Sequence, residues 1–201
     1  MKTNQDYKNA ALAALKGKWT EAVVLALVVI AISLASTCIP VLSLPVTLLI
    51  VMPLNVGVYA VYKNLYHGDG SKMTEKAFSI CFNNWSHNVG GMLLMTLYTF
   101  LWTLLFIVPG IIKSLSYAMT PFILNDRPEL SANDAIELSM NMMEGHKMEL
   151  FLLWLSFIGW AILAIFTCYI GYLWLMPYMY TALVGFYEDV KAEYEQNTFI
   201  N

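Results

Sequence analysis

Charge is what this sequence has least of. Only 12% of its 201 residues are Asp, Glu, Lys or Arg, where a soluble domain carries about 25%. A soluble fold of this size needs a polar surface, yet these charges stand in short clusters with long apolar stretches between them. Basic tracts are missing too. The net charge is −3 and the pI is near 5.5, and no aromatic–basic interleaving marks a nucleic-acid face. The cysteines, Cys38, Cys81 and Cys168, have no CxxC spacing and no paired histidine, so neither a zinc site nor another cofactor is expected. His67, His87 and His146 lie on separate segments and point to no metal centre. There is no nucleophile elbow, no HExxH and no phosphate-cradling glycine loop. The expectation is a protein that is not an enzyme.

What is present is apolar sequence, 59% of the chain. Its runs are continuous rather than alternating, which argues for helices and against an outer-membrane barrel. A helix needs about 20 apolar residues to cross the hydrocarbon core. The runs Ala22–Ile39, Val46–Tyr66, Val89–Val108, Ile111–Leu124, Leu150–Tyr169 and Gly171–Tyr187 approach or reach that length, the fourth being the shortest. Backbone groups in lipid must bond within their own segment, so each run is predicted helical. The fold class is therefore an all-α, polytopic membrane bundle of about six transmembrane helices, forming one integral membrane domain over 1–201. Lys16, Lys18 and the first run superficially resemble a signal peptide. The long polar lead and the poor cleavage site at Ala35-Ser36-Thr37-Cys38 predict an uncleaved span instead.

Proline and glycine mark the turns. Pro40 and Pro45 separate the first pair of runs, Pro109-Gly110 the second and Tyr169-Ile170-Gly171 the third. This predicts three helical hairpins, roughly 5–67, 72–126 and 131–190. Pro53 and Pro177 are predicted to kink or start their helices. The polar segments 5–18, 72–86 and 131–146 carry apolar residues at helical spacing: Tyr7, Ala11, Leu12 and Leu15; Met73, Ala77, Phe78 and Cys81; Ala135, Leu138 and Met142. They are expected as amphipathic helices at the membrane interface. Ser131 with Asp134 reads as a helix cap for the last. Lys and Arg cluster before the first run, between the second and third runs (with Lys63 at the end of the second), between the fourth and fifth and after the sixth, apart from Lys113 near the second turn. That bias predicts both termini in the cytoplasm.

An internal repeat is visible. Leu15-Lys16-Gly17-Lys18-Trp19-Thr20-Glu21 is similar to Met143-Glu144-Gly145-His146-Lys147-Met148-Glu149, each leading into a span. Met52-Pro53-Leu54-Asn55 is similar to Met176-Pro177-Tyr178-Met179. Parallel repeats would leave a shared centre suited to a cavity.

The C-terminal half carries a further pattern. It runs Val108-Pro109-Gly110-Ile111-Ile112, Ser116-Tyr117-Ala118-Met119, Leu138-Ser139, Gly145-His146-Lys147 and Leu155-Ser156-Phe157-Ile158-Gly159-Trp160. Thr167, Gly171, Leu173-Trp174, Pro177-Tyr178, Thr181 and Phe186-Tyr187 complete it. In these residues the chain resembles the domain of unknown function 975 family. The resemblance implies a multi-pass protein of the bacterial cytoplasmic membrane and implies no activity.

Lys113 is the cation set within an apolar run, and an intramembrane cation is costly unless it snorkels or serves a ligand. With Ser116, Tyr117, Asn55 and Tyr178 it forms the predicted ligand-binding set. His146 and Lys147 are the predicted lipid-headgroup contacts. Glu21 and Glu149 suit the first turns of their helices. A disulfide between Cys38 and Cys168 is left open. The expected partners are membrane lipids, with a small solute or a partner membrane protein beside them. The leading reading is the binding or movement of a small solute or lipid in a central cavity. The alternative is a non-catalytic membrane scaffold or regulatory protein.

Overall fold

The computed structural model describes residues 2–37, 40–167 and 169–200. Among them the chain is helical and contains no strand. The helices are α1 (Asn4–Leu15), α2 (Trp19–Thr37), α3 (Pro40–Val46), α4 (Met52–Tyr66), α5 (Met73–Asn83) and α6 (Trp85–Leu105). They continue as α7 (Ile107–Ser116), α8 (Thr120–Asp126), α9 (Ala132–Met142), α10 (Lys147–Leu155), α11 (Ile158–Phe166) and α12 (Tyr172–Ile200). A π-helical turn, Thr47–Val51, joins α3 to α4 just ahead of Pro53. Proline has no N–H to donate, and a widened turn accommodates the missing bond.

Five stretches are long and apolar enough to cross a membrane: Trp19–Ser36, Ser43–Tyr66, Trp85–Leu105, Ile107–Asp126 and Lys147–Phe166. The sixth predicted run is the front of α12. Its apolar character is diluted by tyrosines and by the acids that follow. Its residues Ala182, Val184, Phe186, Tyr187 and Val190 are buried against the bundle. A helix shielded by other helices need not be uniformly apolar.

The turns are placed by local chemistry. Pro109-Gly110 does not form the second turn but sits in the first turn of α7. The chain reverses one step earlier, at Phe106, whose φ of −158° and ψ of 143° are extended. A first-turn proline loses nothing, because that N–H has no intrahelical partner. Gly110 lets α7 close on α6, since a Cβ there would meet Thr103. Tyr169, at φ 65°, and Gly171 do form the third turn. The first turn falls partly on Cys38 and Ile39, outside the described residues, and so does the Cys38–Cys168 question.

All three polar segments are helices. α9 is capped as expected: the Ser131 hydroxyl donates to Asp134 at 2.6 Å, and the Asp134 amide donates back to it at 3.3 Å. Thr3 and Asp6 build the same box at the start of α1. Gly17 and Gly145, which follow α1 and α9, are both left-handed, at φ 76° and 86°. That conformation costs glycine little.

The apolar stripes of these helices meet protein. Tyr7 of α1 packs edge-on against Phe186 of α12 with ring centroids 5.7 Å apart, and its hydroxyl donates to Asp189 at 3.0 Å. α5 packs most closely on α4. Gly70 approaches Leu65, Gly57 faces Ala77, and the Trp85 indole donates to the Leu49 carbonyl at 2.8 Å. α5 thus runs antiparallel along α4 with Met73, Ala77 and Cys81 buried. Its charges stay at one end, because no Asp, Glu, Lys or Arg occurs from Ala77 to Ile112. There Lys76 bonds Asp69 at 2.6 Å, and this ammonium, with the Ser71 hydroxyl and amide, holds the Asp69 carboxyl well below the usual range.

Two apolar stretches are broken, and each break is closed from outside. Between α7 and α8 the Ser139 hydroxyl of α9 donates to the Ser116 carbonyl at 2.8 Å and accepts from the Met119 amide at 3.2 Å. Between α10 and α11 the Lys8 ammonium of α1 donates to the Ser156 carbonyl at 2.8 Å and lies over the Phe157 ring, 4.6 Å from its centroid. Burial lowers the pKa of that ammonium. Unpaired backbone groups cost several kcal/mol in hydrocarbon, so these links matter. Ser139→Ala leaves both a donor and an acceptor unpaired in a fully buried place. It is expected to cost about 1–3 kcal/mol, read as a lower unfolding midpoint of the detergent-solubilised protein. An unchanged midpoint would show that the break holds itself.

Candidate functional site: a chamber beside Tyr59

The centre of the bundle is aromatic. Tyr59 of α4 meets Phe122 and Tyr180 edge-on, with centroids at 4.7 and 5.1 Å. Tyr62 stacks on Tyr180 at 5.2 Å, and Phe122 stacks on Tyr187 at 4.5 Å. Two cavities adjoin this column. The larger, about 460 Å³, lies among α4, α6, α7, α8, α10 and α12, and Asn55, Tyr59, Trp154 and Leu183 are in its wall. The smaller, about 260 Å³, shares Tyr59, Trp154 and Leu183 with it and extends along Tyr172, Met176 and Tyr180. The two adjoin across those three side chains and together make up the chamber.

One wall of the larger cavity comes from α6. Thr96, Thr99 and Thr103 follow one another at helical spacing, and Ser114 of α7 joins them. A hydroxyl is tolerated on a membrane helix when it bonds its own backbone. Thr96 donates to Met92 at 2.8 Å, Thr99 to Met95 at 2.9 Å, Thr103 to Thr99 at 2.8 Å and Ser114 to Ile111 at 2.8 Å. The Asn55 amide likewise donates to the Val51 carbonyl at 2.8 Å. The Tyr59 hydroxyl has no hydrogen-bond partner among the described residues. Among the described residues no charged side chain lines the chamber.

The predicted ligand set is not assembled. Asn55 alone of the five lines the larger cavity, and Ser114 rather than Ser116 or Tyr117 joins it. Ser116 is buried and its hydroxyl donates to Ile112 at 2.9 Å. Tyr117 is buried beside Lys113. The Lys113 ammonium lies 5.1 Å from the Trp102 ring centroid and donates to the Met140 sulfur at 3.6 Å, away from the chamber. Tyr178 packs against Phe157 and lines a separate apolar groove of about 380 Å³ with Trp19, Trp160 and Trp174. Of the headgroup pair, His146 is held between Glu149 at 3.1 Å and Glu193 at 3.5 Å, and Lys147 opens α10. Among the described residues no three His, Cys, Asp or Glu side chains cluster as metal ligands.

Lys113 is also not alone as a cation within an apolar stretch. Lys63 belongs to Ser43–Tyr66 and pairs with Asp126 at the end of Ile107–Asp126. Lys191 reaches the same carboxylate oxygen at 2.9 Å, and the Tyr187 hydroxyl donates to it at 2.9 Å. Glu188 stands 3.6 Å from Lys63 and 3.2 Å from His67. This node joins the ends of α4 and α8 to α12. Sequence spacing could not reveal it, because its members are far apart in the chain. The threonine face of α6 was missed as well, although the helical spacing of Thr96, Thr99 and Thr103 is present in the sequence.

The family model described as "Protein of unknown function (DUF975)" matches residues 105–194, from the end of α6 into the last third of α12. No curated protein and no solved structure matches the chain. Over residues 105–194, a little under half of its length, the chain is similar to the DUF975 family.

Proposed function

We propose that this protein is a multi-pass protein of the bacterial cytoplasmic membrane that binds an amphiphile, entering from the bilayer, in the chamber beside Tyr59. In this reading α12 is the sixth crossing, the hairpins repeat one plan, and both termini face the cytoplasm. The charge distribution of the sequence supports the orientation. The left-handed glycines after α1 and α9 support the repeat. The observation that carries the function is the chamber itself, a mainly apolar volume with a few polar groups, which is the usual make-up of a small-molecule site. The reading includes no catalytic step.

The test is lipid occupancy by native mass spectrometry of the purified protein. Ala118→Phe projects a ring from the wall into the larger cavity. It is expected to lower occupancy severalfold while the unfolding midpoint holds. Equal occupancy in the two proteins would end the proposal. The scaffold reading rests on a different observation, the groove in which Trp160 and Trp174 are about half exposed. Loss of a specific crosslinked partner in Trp160→Ala, with lipid occupancy unchanged, would favour it.

A further inference from the structure

We infer that the chamber selects an uncharged long-chain lipid whose polar end is a hydroxyl, and discriminates against an anion. This rests on the proposed amphiphile binding and adds the class of ligand. The wall fixes the chemistry through which atoms remain open. Each of the Thr96, Thr99 and Ser114 hydroxyls has one proton, and each proton is committed to a carbonyl of its own helix. Their lone pairs remain, as do the side-chain oxygen and the second amide N–H of Asn55, whose other N–H is turned to Val51. The wall is therefore rich in acceptors.

An anionic head brings only acceptors and would face these lone pairs with no counter-charge. The nearest expected cation, Lys113, is engaged by Trp102 and Met140 instead. Burying an uncompensated charge is far costlier than burying a hydroxyl. A hydroxyl fits both ways. Its proton meets Asn55 or a threonine oxygen, and its lone pair can accept from the Tyr59 hydroxyl, which has no partner among the described residues. The alkyl chain is left to the apolar remainder, Met92, Met95, Phe100 and Leu183.

Three photo-crosslinking probes with the same diazirine-bearing alkyl chain test this in nanodiscs. One ends in a hydroxyl, one in a sulfonate and one in a methyl group. The hydroxyl probe is expected to label α4 and α6 peptides at least about tenfold more than the sulfonate, a difference of about 1.4 kcal/mol. Asn55→Leu and Tyr59→Phe are expected to bring hydroxyl labelling down to the methyl level with unfolding midpoints retained. Equal or stronger labelling by the sulfonate would overturn the ligand class and leave amphiphile binding standing. Equal labelling by hydroxyl and methyl probes in the parent protein would also overturn it. Labelling of the chamber by none of the three would remove the binding reading itself.

Discussion

Asp126→Asn is expected to destabilise the protein by about 3 kcal/mol, the lower part of the range for breaking a buried pair. The Asp126 side chain is 9% exposed, and one of its oxygens receives Lys63, Lys191 and the Tyr187 hydroxyl. Asparagine keeps the shape and removes the charge. Two ammonium groups, 17% and 27% exposed, then lose their shared counter-ion, and Glu188 is left as the nearby acid for Lys63 at 3.6 Å. Partial exposure of the lysines keeps the loss at the low end. The sign is tested by compensation. Lys63→Met placed on Asp126→Asn removes one stranded cation and is expected to recover part of the lost midpoint, because a neutral pair can replace a buried ionic one. No recovery would mean that the carboxylate acts through Lys191 and Tyr187 rather than Lys63.

Gly57→Val is expected to detach α5 from α4. A Cβ on Gly57 would overlap the carbonyl of Ala77, which is helix backbone and cannot swing aside as a side chain would. Alanine gains about 1 kcal/mol of helix propensity over glycine, and overpacking costs about 1–3 kcal/mol. Gly57→Ala is therefore expected to be mildly destabilising and Gly57→Val plainly so. Cys81 reports the event, since its thiol is buried in this contact. With Cys38 and Cys168 changed to serine, maleimide labelling of Cys81 is expected to be slow in the parent and many times faster in Gly57→Val. Equal rates would show that α5 yields without separating.

These two contacts also mark where the sequence stops being readable. Helix content and the location of the apolar stretches followed from composition, and Ser131 with Asp134 capped α9 as their spacing required. Pro109-Gly110 marked a turn to within a few residues, though proline's tolerance of a first helical turn moved the reversal to Phe106. The stripe on α5 was legible, but a stripe does not say whether lipid or protein covers it. The flat surface of Gly57 decided that. Lys113 was set apart although Lys63 also lies in an apolar run, and one-dimensional spacing cannot show that Trp102 and Met140 receive Lys113. Within the chamber Asn55 was found, whereas Tyr59 and the α6 threonines became significant only once α4, α6 and α12 were packed together.

The bond from Lys8 to Ser156 joins positions 148 residues apart. A chain made from its N-terminus has completed α1 long before α10 and α11 exist. Lys8 is therefore without its Ser156 acceptor until the last pair has been made. The break between α10 and α11 is thus closed by a side chain from the opposite end of the described chain. Deleting the first fifteen residues should leave the C-terminal kink open to protease, although the deletion touches none of that segment's own sequence.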